Sequence, residues 1–106
     1  MFCFHENNCT IQLTRGDTGR IDFDFEVEID GDIVKDYTAI FHLRKDQRLT
    51  YPLLASVPLV NGRLFISHDM TKDLKVGNYL YDIEITSGEN VMTYGPYPFV
   101  IDPDVG

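Results

Sequence analysis

Apolar and polar residues alternate with a period of two along much of the chain. The alternation is most regular over residues 20–30, where Ile21, Phe23, Phe25, Val27 and Ile29 interleave with Asp22, Asp24, Glu26, Glu28 and Asp30. A period of two places the apolar set on one face of a β-strand and the carboxylates on the other. Strands with one face in water are typical of antiparallel sheets. We therefore expect one continuous strand here, with a carboxylate ladder on its outer face.

Similar alternation predicts other strands, over residues 10–14, 38–45, 63–68, 79–86 and 91–101. In the second of these, Ala39, Phe41 and Leu43 are the expected inward set. Pro52 and Pro58 lack a backbone donor, so residues 51–60 should form an edge strand or an irregular segment. For the same reason, Pro96 and Pro98 predict that the last strand lies at an edge or is kinked. Only residues 70–74 have a helical pattern, for at most one turn.

Three glycine-containing segments have the residue types that favour turns: Asp30-Gly31-Asp32, Asn61-Gly62 and Ser87-Gly88-Glu89-Asn90. The strands between such turns number about seven, and the chain has no internal repeat. This pattern predicts a single all-β domain over residues 1–106, with residues 1–9 as an N-terminal extension. The architecture that closes one core from such strands is an immunoglobulin-like antiparallel β-sandwich.

The segment over residues 74–85 is the most informative stretch of the chain. Gly77 is expected to hold a turn before a strand whose alternate residues, starting with Tyr79 and Tyr81, face the core. In immunoglobulin sandwiches, a tyrosine corner lies two residues before the second disulfide cysteine, and its hydroxyl bonds back to upstream backbone. Tyr79 fits that role. Tyr81 then takes the place of the cysteine, so packing would replace the disulfide.

Charge and hydropathy exclude two classes of partner. The formal net charge is −8, whereas binding to nucleic-acid phosphates requires an excess of Lys and Arg. No apolar run approaches the roughly 18 to 20 residues that a membrane span requires. The first residues also lack the basic and apolar regions of a signal peptide. We expect neither nucleic acid nor membrane as a partner, and synthesis in the cytoplasm.

The residue types that carry catalysis and metal binding are scattered. Cys3 and Cys9 are expected to be free thiols, and with His5 they fall one ligand short of a zinc site. His42 and His68 stand singly and are expected on strands. The serines Ser56, Ser67 and Ser87 lack a nucleophile elbow, and no glycine-rich phosphate loop follows a strand. We therefore expect no enzymatic activity, no metal and no cofactor.

Two further motifs have a plain structural interpretation. Successive members of the carboxylate ladder are roughly 7 Å apart along a strand, too far for two neighbours to share one calcium ion. A solvated face is the expectation there. Arg15-Gly16-Asp17 is the tripeptide that integrins recognise, but three residues are a weak signal. We expect a turn in which Gly16 takes a conformation that side chains disfavour and Asp17 bonds local amides.

Five motifs in a fixed order resemble those of small tail and baseplate proteins of bacteriophages and prophages. They are Leu13-Thr14-Arg15-Gly16-Asp17-Thr18, Phe41-His42-Leu43-Arg44, Gly62-Arg63-Leu64-Phe65-Ile66, the Gly-x-Tyr-x-Tyr-Asp block that begins at Gly77, and Gly95-Pro96-Tyr97-Pro98-Phe99-Val100. Together they are similar in particular to the immunoglobulin-like N-terminal domain of phage baseplate upper proteins.

This resemblance implies a virion structural protein that docks on neighbouring tail, baseplate, neck or capsid proteins. It implies a homo-oligomer or several copies in the particle, after synthesis in the host cytoplasm. In that family the Arg-Gly-Asp-Thr sequence is a structural turn, which agrees with the interpretation of Gly16 and Asp17. The alternative is a carbohydrate- or cell-surface-binding β-sandwich module, in which Tyr94 and Tyr97 would stack on a ligand.

Overall fold

The computed structural model describes residues 2–23, 25–45 and 53–103, and these residues form an all-β, sandwich-like fold. They contain ten strands and one short helix: β1 (Cys3–His5), β2 (Thr10–Thr14), β3 (Gly19–Asp22), β4 (Val27–Ile29), β5 (Asp32–Val34), β6 (Thr38–Arg44), β7 (Ala55–Pro58), β8 (Arg63–Ile66), α1 (His68–Thr71), β9 (Gly77–Ser87) and β10 (Asn90–Asp102). Six strands form one large sheet in the order β1-β2-β10-β9-β6-β7. Two small sheets, β3-β8 and β4-β5, complete the described part of the fold.

The large sheet has the strand order of an immunoglobulin sandwich. Its run β10-β9-β6-β7 matches the G-F-C-C′ order of a variable-type domain, and the β3-β8 pair takes the place of strands B and E. One pair differs from the prediction of an antiparallel sandwich, because β2 and β10 are parallel. These two strands are far apart in sequence and are joined by the rest of the sandwich, so no hairpin forces them to be antiparallel.

The core lies between the large sheet and the small sheets. The strands β2, β6 and β9 bury alternate residues, and the largest fully buried side chains include Tyr81, Phe41 and Phe99. The predicted inward sets of two strands are confirmed: Ala39, Phe41 and Leu43 on β6, and Tyr79, Tyr81, Ile83 and Ile85 on β9. Opposite them, Ile21, Leu64 and Ile66 close the core from the β3-β8 sheet.

The continuous strand predicted over residues 20–30 is wrong, because the chain breaks there into two strands with different partners. β3 ends at Asp22, where its partner β8 begins at Arg63. The next amide, that of Phe23, donates to the carbonyl of Gly62 at 2.8 Å and leaves the ladder. Asp24 lies outside the described residues. β4 then pairs with β5 through a two-residue turn at Asp30 and Gly31, whose φ angles of +52° and +85° are those of a type I′ hairpin.

Of the two alternatives predicted for the last strand, an edge position or a kink, the structure shows the kink. β10 runs inside the large sheet between β2 and β9. Its pairing with β9 shifts by one residue between Tyr94 and Tyr97, and the Gly95-Pro96 peptide in this bulge is cis. The prolines are accommodated because a bulge removes residues from the regular hydrogen-bond ladder.

Other boundaries differ less from the prediction. β7 is an edge strand of the large sheet, as the prolines indicated, although residues 51 and 52 lie outside the described part. Asn61 and Gly62 form a tight turn with positive φ angles, yet after a single bridge from Val60 to Arg63 the chain enters the other sheet. His68 is not on a strand, because Ser67 caps α1 and ends β8 early. The N-terminal extension supplies β1, which pairs with β2.

Candidate functional site

The tyrosine at the start of β9 has the contacts of a tyrosine corner. The Tyr79 hydroxyl donates to the Lys75 carbonyl at 2.5 Å, and its side chain is 5% exposed. Gly77 precedes it with φ of +149°, a conformation that other residues rarely adopt. Lys45 lies above the Tyr79 ring, with its Nζ 4.5 Å from the ring centroid. Burial raises the pKa of Tyr79, so its hydroxyl stays protonated and able to donate.

Tyr81 belongs to the core. It is 0% exposed, and its ring stacks on Phe41 with centroids 5.5 Å apart. Its hydroxyl donates to the Cys9 carbonyl, which ties the turn between β1 and β2 to the centre of the large sheet. Burial is the largest cause of the raised pKa of Tyr81. The position that holds a disulfide cysteine in antibody domains is thus filled by an aromatic ring with a hydrogen-bonded hydroxyl.

The Arg15-Gly16-Asp17 segment forms a turn that packs against α1. Gly16 has φ of +87°, and the Asp17 amide donates to the Thr14 carbonyl at 2.9 Å. The carbonyls of Gly16 and Asp17 accept from His68 Nδ1 at 2.7 Å and from the Thr71 hydroxyl at 3.2 Å. Both carbonyls are therefore used to hold the helix, which makes the turn part of the scaffold.

A polar row on the outer face of the large sheet is centred on His42. His42 Nδ1 lies 3.3 Å from one Asp82 carboxylate oxygen, and Arg44 Nε donates to the other oxygen at 3.3 Å. Ser56 lies opposite His42 on the neighbouring strand, so a serine, a histidine and an aspartate stand in register across β7, β6 and β9. In the described part of the chain, however, Ser56 has no hydrogen bond to His42.

This row was not anticipated from the sequence, although the outward positions of three strands contain it. A hydrolase needs its serine hydrogen-bonded to the histidine and a pocket with oxyanion donors. Asp82 is shared with Arg44, and the side chains of His42 and Asp82 are still 13% and 16% exposed on an open sheet face. His68 is remote from this row, beside Gly16. The geometry is that of a surface ion-pair cluster.

An aromatic cluster occupies the side of the sandwich near the β10 bulge. Tyr94 contacts the rings of Phe23, Phe25 and Tyr97, with centroids 4.9 to 5.9 Å apart. Its hydroxyl also lies 3.1 Å from Cys9 Sγ, and burial is the main cause of the raised pKa of Tyr94. The faces of Tyr94 and Tyr97 are thus largely used inside the protein, which leaves little of them for stacking on a sugar.

Among the residues that the structure describes, no cluster of three or more metal-ligating side chains occurs. Cys3 and Cys9 are free thiols, exposed and partly buried respectively. The described helix is also too short to cross a membrane.

A groove with a mainly apolar lining lies beside β7 and β8. We call it the edge groove. It has a volume of about 520 Å³ and is lined by Arg20, Val57, Pro58, Val60, Asn61, Arg63, Phe65 and Ser67. Phe65 and Val60 are 58% and 67% exposed. Sequence alternation contained this signal, because Leu64 and Ile66 face the core and Phe65 between them must face outward.

Comparison with protein-family models, curated proteins and solved structures found no match to this chain. The functional argument therefore rests on the chain's own residues and their arrangement.

Proposed function

We propose that this chain is a non-enzymatic structural or assembly protein of a bacteriophage or prophage, present in several copies and docked on neighbouring tail, baseplate, neck or capsid proteins. The observation that carries the proposal is the edge groove, an exposed apolar surface at the border of the sandwich. Exposed apolar patches mark sites of interaction with proteins, membranes or ligands, and we assign this one to a contact between proteins. The five ordered motifs of the sequence support the same class of protein.

Free sheet edges add to this argument. Among the described strands, β1 and β7 end the large sheet, and each has one pairing partner. An edge strand presents backbone donors and acceptors that an extended segment of another chain can use. A protein with two such edges and an apolar groove is suited to lateral contacts in an assembly.

The residues singled out from the sequence support a structural role. Tyr79 and Tyr81 hold the core, while Gly16 and Asp17 hold α1. His68 does contact Gly16, but through a hydrogen bond to a backbone carbonyl that holds the helix. The proposal therefore assigns no catalytic residue, no metal and no cofactor.

Particle composition tests this function. Particles induced from a host that carries the gene would be purified on a density gradient and analysed by quantitative mass spectrometry. We expect this chain to co-sediment with the major structural proteins at a fixed ratio, while a phage-encoded enzyme stays near the top of the gradient. Its absence from intact particles would rule out the virion role.

The carbohydrate-binding alternative is tested separately, on a glycan array with purified protein. The packing of Tyr94 against Phe23 and Phe25 leads us to expect no binding. If binding does occur and is lost in Tyr97→Ala while the fold is retained, the sugar-binding function would be preferred.

A further inference from the structure

The edge groove differs in charge from the rest of this acidic chain. The chain carries a net charge of −8, yet the described residues that line the groove include Arg20 and Arg63 and no carboxylate. Arg63 Nε lies 3.3 Å from a carboxylate oxygen of Asp22. Both side chains are more than half exposed, so the attraction between them is weak. Arg20 has no ion pair among the described residues. The groove thus offers an apolar floor and a positive rim to an occupant that is apolar and acidic.

The β4-β5 hairpin of the same protein has the complementary character. Ile33 at its centre is 62% exposed, among the highest values for a large apolar side chain here. Glu28 lies directly opposite Ile33, and the hairpin and the residue before it carry further exposed carboxylates at Glu26, Asp30 and Asp32. The exposed Lys35 follows the hairpin, so its acidic side chains outnumber the basic one. Among the described strands, β5 pairs with β4 alone, so its second edge is open to another strand.

Within one copy, the hairpin and the groove do not cover each other. Ile33 and Phe65 are both more than half exposed in the same molecule. Removing apolar surface from water is favourable, so an association that covers both side chains is stabilised by their burial. A second copy supplies both missing surfaces at once.

We propose that the β4-β5 hairpin of one copy docks in the edge groove of a second copy, with Ile33 against Phe65 and Val60, and the hairpin carboxylates beside Arg20 and Arg63. The two contacting surfaces differ, so the contact is heterologous and forms a closed ring where the rotation closes and an open chain where it does not. This inference rests on the proposed function in requiring several copies, but it concerns the isolated protein. The two ideas therefore fail independently.

Sedimentation velocity of the purified protein over the micromolar range tests the contact. We expect wild type to associate reversibly, and Phe65→Thr and Ile33→Thr each to weaken association at least tenfold. Both substitutions replace an exposed side chain by a residue that strands accept, so the fold should remain intact by circular dichroism. Val91→Thr is the matched control, because Val91 is 60% exposed on β10 and lies outside the hairpin and the groove.

Mixing the two variants gives the decisive result. The Phe65→Thr copy retains an intact hairpin, and the Ile33→Thr copy retains an intact groove, so an equimolar mixture should form pairs that neither variant forms alone. Arg20→Glu should weaken association, and Asp32→Arg in the other copy should restore it. Monomeric wild type, normal association of either apolar variant, or a mixture no better than its components would overturn the proposal.

Discussion

The segment over residues 20–30 and the strand β9 have the same alternating sequence pattern but different structures. β9 is one strand of eleven residues, paired on both sides, with four consecutive inward residues buried. The other segment is divided between β3 and β4, and its central phenylalanines, Phe23 and Phe25, are only partly buried. The difference teaches that alternation specifies which side chains share a face, whereas strand length depends on the length of the partners.

The partners explain both outcomes. β9 lies between β6 and β10, which have seven and thirteen residues, so hydrogen bonds continue along nearly its whole length. β3 has β8 beside it, and β8 has four residues. The tight Asn61-Gly62 turn before β8 ends the ladder, and Phe23 bonds to that turn. The chain beyond Phe23 must find another partner, and β5 supplies it.

The largest effect on stability should come from shortening one apolar side chain in each segment. Ile83→Ala on β9 removes a fully buried side chain and should cost about 2 to 5 kcal/mol of unfolding free energy. Ile29→Ala on β4 removes a partly buried side chain and should cost about 1 kcal/mol. Urea denaturation measures both. Equal losses would show that the two segments contribute equally to the core, against the contrast drawn above.

The second test concerns the bulge that keeps β10 paired with β9. In Gly95→Ala, the added Cβ would lie 2.9 Å from the Tyr81 carbonyl, at φ of +120°. We expect a loss of about 2 to 3 kcal/mol. Gly88→Ala is the matched control, because Gly88 has φ of +59° and open space around it, and should lose about 1 kcal/mol. If the two variants shift the denaturant midpoint equally, the loss of stability comes from the positive φ angles and not from the contact of the added Cβ with β9.

Removing the hydroxyl of the tyrosine corner tests whether the start of β9 is held from within. Tyr79→Phe leaves the Lys75 carbonyl without its donor and should cost about 1 to 2 kcal/mol. Thermal denaturation and amide exchange of residues 75–79 provide the measurement. An unchanged melting temperature would mean that packing of the ring alone fixes this end of the strand.

Alkaline pH should act on β9 through the buried hydroxyl of Tyr81. Because burial raises the pKa of Tyr81 in the folded state, the proton is retained on folding and lost on unfolding above about pH 10. The contribution of the Tyr81 hydroxyl to the free energy of unfolding is fully present below pH 10. Above pH 10 it declines by about 1.4 kcal/mol for each pH unit. Urea titrations of wild type and Tyr81→Phe at pH 9 and pH 11 should show a smaller decline in the variant. Parallel declines would assign the effect to other groups.

The smallest effect should distinguish the ion pairs of the two segments. Asp82 and Arg44, 16% and 22% exposed, should show a coupling energy of about 0.5 to 1 kcal/mol in a double-mutant cycle. Asp22 and Arg63, 67% and 61% exposed, should show coupling close to zero. A stronger coupling for the second pair would mean that β3 and β8 are fixed by charge more than by packing.

Much of the fold could be predicted because it depends on local patterns. Alternation identified the inward faces of β6 and β9, and the Asp30-Gly31 and Asn61-Gly62 turns have the positive φ angles that their sequences favour. Pairing between distant segments could not be predicted in this way. The parallel contact of β2 with β10, and the entry of β8 into a second sheet, depend on the closure of the whole sandwich.

The surfaces were harder to predict than the core. The tyrosine corner was visible as Gly77-x-Tyr79-x-Tyr81, because a recurring motif connects sequence to a specific hydrogen bond. The edge groove has no such motif. Its floor joins Val57 of the large sheet to Phe65 of a small one, and these strands are brought together only by the tertiary fold. The row from Ser56 to Asp82 likewise exists only across three strands.

The bulge in β10 marks the position where this strand can lose a residue. Tyr94 lies opposite Ile83 and Tyr97 opposite Tyr81, so β10 uses three steps where β9 uses two. Deleting Pro96 would leave both pairs opposite each other and restore simple alternation. Deleting a residue between Phe99 and Asp102, or between Asn90 and Tyr94, would exchange the inward and outward faces of one part of the strand. Length variation among relatives of this strand should therefore be found at residues 95 and 96.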